Sequence, residues 1–144
     1  MVHIRVGQLS DEARLFELAR VFPTPTPPDV DMFAIALRAK LADPSSYLAV
    51  AEYEGSLIGY VAGYSHPTFY AGGSTAWVDE LLVDATFRGR GIGRRLMDAF
   101  EAWAGSHACT LVSLATRGAG PFYQRLGYAS KAEYYKKYLG DRGR

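Results

Sequence analysis

The residues best placed to do chemistry lie in one stretch, Leu81-Leu82-Val83-Asp84-Ala85-Thr86-Phe87-Arg88-Gly89-Arg90-Gly91-Ile92-Gly93-Arg94-Arg95. It reads as a strand, a glycine-rich turn, and a helix that begins inside the turn. The first N–H groups of a helix have no intrahelical acceptor, and its dipole adds partial positive charge there. Glycines at 89, 91 and 93 let an anion approach the backbone with no Cβ in the way. Arg88, Arg90, Arg94 and Arg95 bring positive charge to the same point. Together these residues specify a cradle for a di- or polyphosphate. The glycines alone would mean only a tight turn.

Two nucleotide readings fail. A Walker A loop needs Gly-Lys-Ser/Thr, which does not occur in the chain. A Gly-x-Gly-x-x-Gly dinucleotide fingerprint read from Gly89 ends on Arg94, and read from Gly91 it ends on Leu96. That fingerprint also belongs after the first strand of a domain, whereas this turn follows the fourth strand-like segment. What does match is Arg88-x-x-Gly91-x-Gly93 after a strand ending in Val83, which resembles the acyl-CoA pyrophosphate loop of the GNAT superfamily of N-acyltransferases. Ala119-x-x-Phe122-Tyr123-x-x-Leu126-Gly127-Tyr128 is similar to that family's late helix and the glycine-aromatic segment after it. The motif similarity is strongest from about 78 to 128.

The resemblance implies an α/β (α+β) domain spanning 1–144. Its sheet would be mixed, mostly antiparallel and six- to seven-stranded, flanked by about four helices, with the fourth and fifth strands splayed. It implies acetyl-CoA as cosubstrate and a primary amine as acceptor. The pantetheine arm would pair with the backbone of Leu81, Leu82 and Val83, as an added strand does. The pyrophosphate would fall on the amides of Arg88, Gly89, Arg90, Gly91, Ile92, Gly93 and Arg94. Where relatives often carry an asparagine that bonds the pantetheine, this chain has Thr116, with a shorter reach. Tyr123 occupies the family's acid position, where a phenol can protonate a leaving thiolate; packing is the competing use of that ring. Family members are often dimers, so a homodimer is an expectation of the same kind.

Direct transfer needs a neutral amine, hence a base, and a donor for the developing oxyanion, expected from a backbone N–H near Leu82. Asp79 and Glu80 precede the pantetheine strand, where relatives often hold an acid or a histidine. Neighbouring strand residues face opposite ways, so only one should reach the acceptor unless a bulge shifts the alternation. Either carboxylate can equally be a solvated or ion-paired group, and a water chain can replace both. His66 and His107 are lone histidines without metal-ligand spacing and read as surface residues. No metal site is expected. Tyr64, Phe69, Tyr70, Tyr134 and Tyr135 can surround a cationic amine with ring faces, although most of the ten tyrosines should pack on the sheet. Asp29 and Asp31 can anchor an ammonium or cap a helix.

These groups need a scaffold, and the rest of the chain supplies one. Val2, Ile4 and Val6 alternate as a first strand, and Ser10 should cap a helix over 11–22. Pro23 to Pro28 cannot be helical and forms a stiff loop. A helix over Val30 to Leu41, a hairpin of Tyr47 to Tyr53 with Leu57 to Tyr64, and a strand over Thr75 to Val83 follow. Beyond the glycine turn, a helix to about Ala104 should stop at Gly105. A buried strand over Thr110 to Ala115, a short helix over Pro121 to Leu126 ended by Gly127, and an extended Tyr128 to Leu139 complete the order. The crossover from 75 to 115 demands one parallel strand pair.

At 144 residues, 49% hydrophobic and 22% charged, the chain suits one soluble domain rather than a disordered tail. Sixteen basic and fifteen acidic side chains leave a net charge of +1, which disfavours nucleic-acid binding. The single Cys109 excludes an internal disulfide and reads as a small buried hydrophobe. No signal peptide or membrane span is visible, so the cytoplasm is the expected location. The rival function is a non-catalytic acyl-CoA-binding or sensing module.

Overall fold

The computed structural model describes residues 1–22, 24 and 27–140. Its sheet has five strands in sequence order: β1 (Val2–Val6), β2 (Ser46–Tyr53), β3 (Ser56–Pro67), β4 (Ser74–Val83) and β5 (Cys109–Leu114). The first three pairings are antiparallel, and β4 to β5 is parallel, as the crossover requires. Helices α1 (Glu12–Ala19) and α2 (Val30–Ala42) cover one face, and α3 (Ile92–Ser106) covers the other. The short helix α4 (Gly120–Arg125) follows β5. Residues 23, 25 and 26 of the proline loop lie outside the described residues.

Each face has its own core. Ile92, Leu96, Met97, Phe100 and Ala104 recur at helical spacing along α3 and bury against Ala49, Val61, Ala76 and Val78. Phe100 is wholly buried, which contributes about 1.5–3 kcal/mol over leaving it in water. A Cβ on Gly63 would stand 2.6 Å from the Phe100 ring, so that glycine sets how closely α3 approaches the sheet. On the other face Leu15, Leu18 and Leu37 meet Leu48, Val50, Tyr60 and Leu82.

Two irregularities shape the functional end. The β4–β5 ladder ends at Val78 with Leu114. Among the described residues, 79–83 of β4 therefore have no partner strand on that side, and β4 and β5 splay there. The register with β3 passes from Gly63↔Val78 to Ala62↔Glu80, leaving Asp79 as the extra residue of a β-bulge.

Several local expectations are corrected. Ser10 does not cap α1: a 3₁₀ turn over Leu9–Asp11 intervenes, and the Asp11 carboxylate accepts from the Gln8 N–H at 2.8 Å and from both Arg5 terminal nitrogens at 2.9 Å. The helix ends at Ala19 rather than 22. Gly105 does not stop α3, which runs on to Ser106, and Ala108 makes the turn at φ 56°. The Tyr47 ring stacked 5.1 Å from Trp103 holds that last turn in place. β5 is an edge strand and only partly buried.

The expected sixth and seventh strands are absent among the described residues, where Tyr128 to Leu139 pairs with no strand. In Glu133-Tyr134-Tyr135-Lys136-Lys137 the rings are adjacent rather than alternating, so no period-two apolar face exists to bury. Gly127 does end α4, at φ 96°.

Candidate active site

A cleft of about 570 Å³ opens where β4 parts from β5. Leu81, Leu82 and Val83 form one wall, the α3 N-terminus with Arg88, Gly89, Gly91, Ile92, Gly93 and Arg94 forms the floor, and α4 closes it with Phe122, Tyr123 and Arg125. The local sequence explains the floor. Asp84 accepts from the Thr86 N–H at 3.1 Å and nucleates a 3₁₀ turn over Ala85–Phe87. Gly89 and Gly91 then take φ of 78° and 77°, the left-handed region that glycine enters without strain, and no atom lies where a Cβ would point. No side chain caps α3, and the first backbone bond at this end is Arg95 N–H to Gly91 O at 3.2 Å. The first-turn amides of Ile92, Gly93 and Arg94 therefore face open space with the helix dipole behind them, whereas the Arg88 N–H, expected on the pyrophosphate, donates to Ala85 O at 3.4 Å.

The arginines diverge. Arg88 Nε donates to Val83 O at 3.1 Å, which holds its guanidinium at the end of β4. Arg94 lines the cleft. Arg90 lies over the Phe87 ring at 5.2 Å and is not on the wall. Arg95 turns away, donating to Val2 O at 2.9 Å, so it adds no charge to the cradle. In its place stands Arg125, in the last turn of α4. Sequence reasoning passed over it because it belongs to an element 30 residues from Arg95; a signal existed, since it lies between the motif residues Phe122 and Leu126. Thr116 is exposed beyond β5 and is not among the cleft residues.

Tyr123 sits inside the cleft, its ring 4.9 Å from Phe122 and 5.9 Å from Tyr128. Burial pushes its phenol above the usual value. Tyr128 is tied down by donating to Glu101 at 2.8 Å, so the wall behind Tyr123 is fixed.

The bulge decides where the two carboxylates go. Val78 faces the α3 core, and an unbroken alternation would send Glu80 the same way. The extra residue reverses this. Glu80 instead accepts the Tyr60 hydroxyl at 2.7 Å, and Asp79 lies 3.8 Å from Lys40 Nζ of α2, so both stand on the α1–α2 face. Burial lifts the Asp79 carboxyl above its ordinary range and the Glu80 charge adds to this, while Lys40 and the Trp77 indole pull the other way. Burial and then the Glu80 charge also raise the Tyr60 phenol. Tyr60 and Lys40 were not expected at the site, and only the fold brings them there.

Around Asp79 stand aromatic rings. Trp77 stacks on Tyr134 at 6.1 Å, and Tyr64 is the cross-strand neighbour of Trp77. Burial raises the Tyr64 phenol, with the Asp79 charge second. Phe69, Tyr70 and Tyr135 are exposed. Asp29 caps α2, accepting from the Met32 N–H at 3.0 Å, and Asp31 lies in its first turn. His66 is exposed, and His107 ends α3 against Trp103, 4.5 Å between rings. Cys109 is half-buried. Among the described residues no cluster of metal-ligating side chains occurs, and no helix is long and apolar enough to cross a membrane.

Known proteins share this fold. Glucosamine-6-phosphate N-acetyltransferase from Arabidopsis thaliana superposes with a TM-score of 0.84 at 20% identity, covering 97% of this chain and 99% of its own. Ribosomal-protein-alanine N-acetyltransferase from Brucella melitensis biovar Abortus 2308 gives 0.76 at 22% identity, with 96% and 100% covered. AAC(6')-Iy, solved with the bisubstrate analog CoA-S-monomethyl-acetylneamine, gives 0.78 at 17% identity, with 96% and 99% covered. At these identities the likeness is one of fold. No curated protein matches the chain. The model of the acetyltransferase (GNAT) family matches residues 12–128, and with the splayed sheet and the open α3 terminus already in view, the chain belongs to that family.

Proposed function

We propose that the protein is an N-acetyltransferase that moves an acetyl group from acetyl-CoA directly to a primary amine. The observation that carries this reading is the convergence, in one cleft, of an uncapped helix terminus, an unpartnered strand edge and a half-buried tyrosine. The cleft suits CoA on the chemistry of its walls. Gly89, Gly91 and the open amides after them fit a diphosphate, with Arg88, Arg94 and Arg125 as counter-charges. The free edge at Leu81, Leu82 and Val83 offers backbone groups to an amide-bearing arm. Arg90 and Thr116 are second to these, because they stand off the wall.

Acetyl-CoA, when bound, supplies an activated thioester. The remaining work falls to this chain. Asp79 is the base: its carboxyl is raised by burial, which brings proton affinity closer to working pH, whereas Glu80 is engaged with the Tyr60 hydroxyl. Glu80, next to it on the same face, helps to draw in a cationic acceptor. Backbone N–H groups on the free β4 edge stabilise charge developing on the carbonyl oxygen. Tyr123 donates its phenolic proton to the departing sulfur. Tyr64, Trp77 and Tyr134 offer ring faces to the ammonium.

Release of free thiol with a panel of primary amines tests the reading. Amine-stimulated release supports the enzyme. Tight CoA binding with no such release would identify the non-catalytic binding module instead.

A further inference from the structure

Lysine occurs at only four positions, 40, 131, 136 and 137, and the last three lie on the exposed segment after α4. Lys40 differs from them. It stands in the last turn of α2, one helical turn after the buried Leu37, so it shares the helix face that packs on the sheet. Its side chain is 31% exposed, and Nζ reaches to 3.8 Å from Asp79 Oδ2. That position, against the carboxylate on the strand that also carries Trp77 beside Tyr64 and Tyr134, is the one the reading above gives to an acceptor ammonium.

We propose that Lys40 is a modification site of the protein itself: its Nζ is acetylated in cis by the adjoining active site. The proposal rests on the reading above, in which Asp79 is the base and the cleft holds acetyl-CoA. In the step, the Lys40 ammonium gives a proton to Asp79, the freed nitrogen forms a bond to the acetyl carbonyl carbon, and its second proton passes to solvent. The carbon–sulfur bond breaks, and the sulfur leaves with the electron pair and takes the Tyr123 proton, which solvent restores. One acetyl-CoA and one lysine ammonium give Nε-acetyl-Lys40, CoA thiol and a proton. The product removes the cation that opposes the raised Asp79 carboxyl.

The test is mass mapping of the full chain after incubation with acetyl-CoA alone, across a range of protein concentrations and beside the amine-panel assay. We expect one acetyl group per chain, on Lys40. The rate should not change on dilution, and it should exceed that at Lys131, Lys136 or Lys137 by about tenfold or more, as a held intramolecular acceptor would. Lys40→Arg keeps a cation beside Asp79 and should abolish the label while the melting temperature holds. Tyr123→Phe should slow labelling in parallel with turnover. Amine turnover without label on Lys40 overturns this proposal and leaves the enzyme standing. Label spread evenly over the four lysines, or a rate proportional to protein concentration, overturns it as well. Neither label nor turnover removes both.

Discussion

The two sides of the splayed sheet are built by different means. On the α3 side the cleft is a backbone device: two left-handed glycines, an uncapped helix end and an unpartnered strand edge lie within 81–94, a single contiguous segment. On the α1–α2 side the proposed acceptor region is a side-chain device. Lys40 comes from α2, Tyr60 and Tyr64 from β3, Trp77, Asp79 and Glu80 from β4, and Tyr134 from the segment after α4. The first kind of site depends on φ angles and helix polarity, which tolerate change elsewhere in the chain. The second depends on how four distant segments meet. The side-chain wall can therefore be rebuilt while the glycine segment is left unchanged.

The comparison breaks most sharply at Gly91. Gly91→Glu puts a β-carbon at φ 77° and a negative charge in the mouth of the cradle. CoA affinity should fall by about 10³-fold or more, since charge-assisted bonds to phosphate contribute about 1.5–3 kcal/mol each. Calorimetric titration with CoA checks this, and affinity within a few-fold of the parent would refute the cradle. Tyr123→Phe cuts differently. It removes one hydroxyl from a packed ring, so kcat should drop by about 10²-fold while CoA binding stays within twofold. Equal losses in both quantities would make Tyr123 a binding residue.

This division also governs what could be read in advance. The glycine turn and the open helix end were legible because glycine spacing and helix polarity share one local segment, and a local pattern survives folding. The α3 stripe and the hairpin were legible for the same reason. Arg95 misled, because its spacing puts it beside the cradle while its rotamer carries it to Val2. Arg125 and Lys40 went unseen because only tertiary contact brings them to a site. The bulge at Asp79 had no signature in Trp77-Val78-Asp79-Glu80-Leu81, where alternation would place the two carboxylates on opposite faces. The sheet was overcounted because family likeness implied strands after Tyr128 that the adjacent rings and charges of 133–137 do not form.

On the acceptor side, Asp79→Asn should lower kcat/KM for amines by about 10²-fold and leave CoA affinity unchanged. Its pH behaviour is the sharper readout. Burial raises the carboxyl, so the acidic limb of the parent kcat/KM profile should lie above the ordinary carboxylate range, and this limb should vanish in the variant. The stability sign is opposite to that of a salt-bridged acid. A carboxyl whose pKa rises on folding adds stability below its unfolded value and loses it as pH climbs through the folded one. Removing the charge should therefore not lower the melting temperature at neutral pH. A variant that is inactive and also clearly less stable would make Asp79 a structural partner of Lys40 instead.

The smallest effect should come from Arg125, the one charge on the cleft wall that is supplied from outside the glycine segment. Its guanidinium stands in the last turn of α4, where the helix dipole already favours a cation. Arg125→Ala leaves the amides of α3 and the β4 edge untouched, so the loss is confined to one solvent-screened charge. CoA should bind about three- to tenfold more weakly, in line with the roughly 1 kcal/mol of a partly exposed ion pair. The difference between parent and variant should shrink as salt rises, because exposed charges are screened within about 10 Å at 0.1 M. Titration at low and high ionic strength measures both. A loss as large as that of Gly91→Glu would mean that side chains, rather than main-chain donors, carry the phosphate, and the contrast between the two halves would fail.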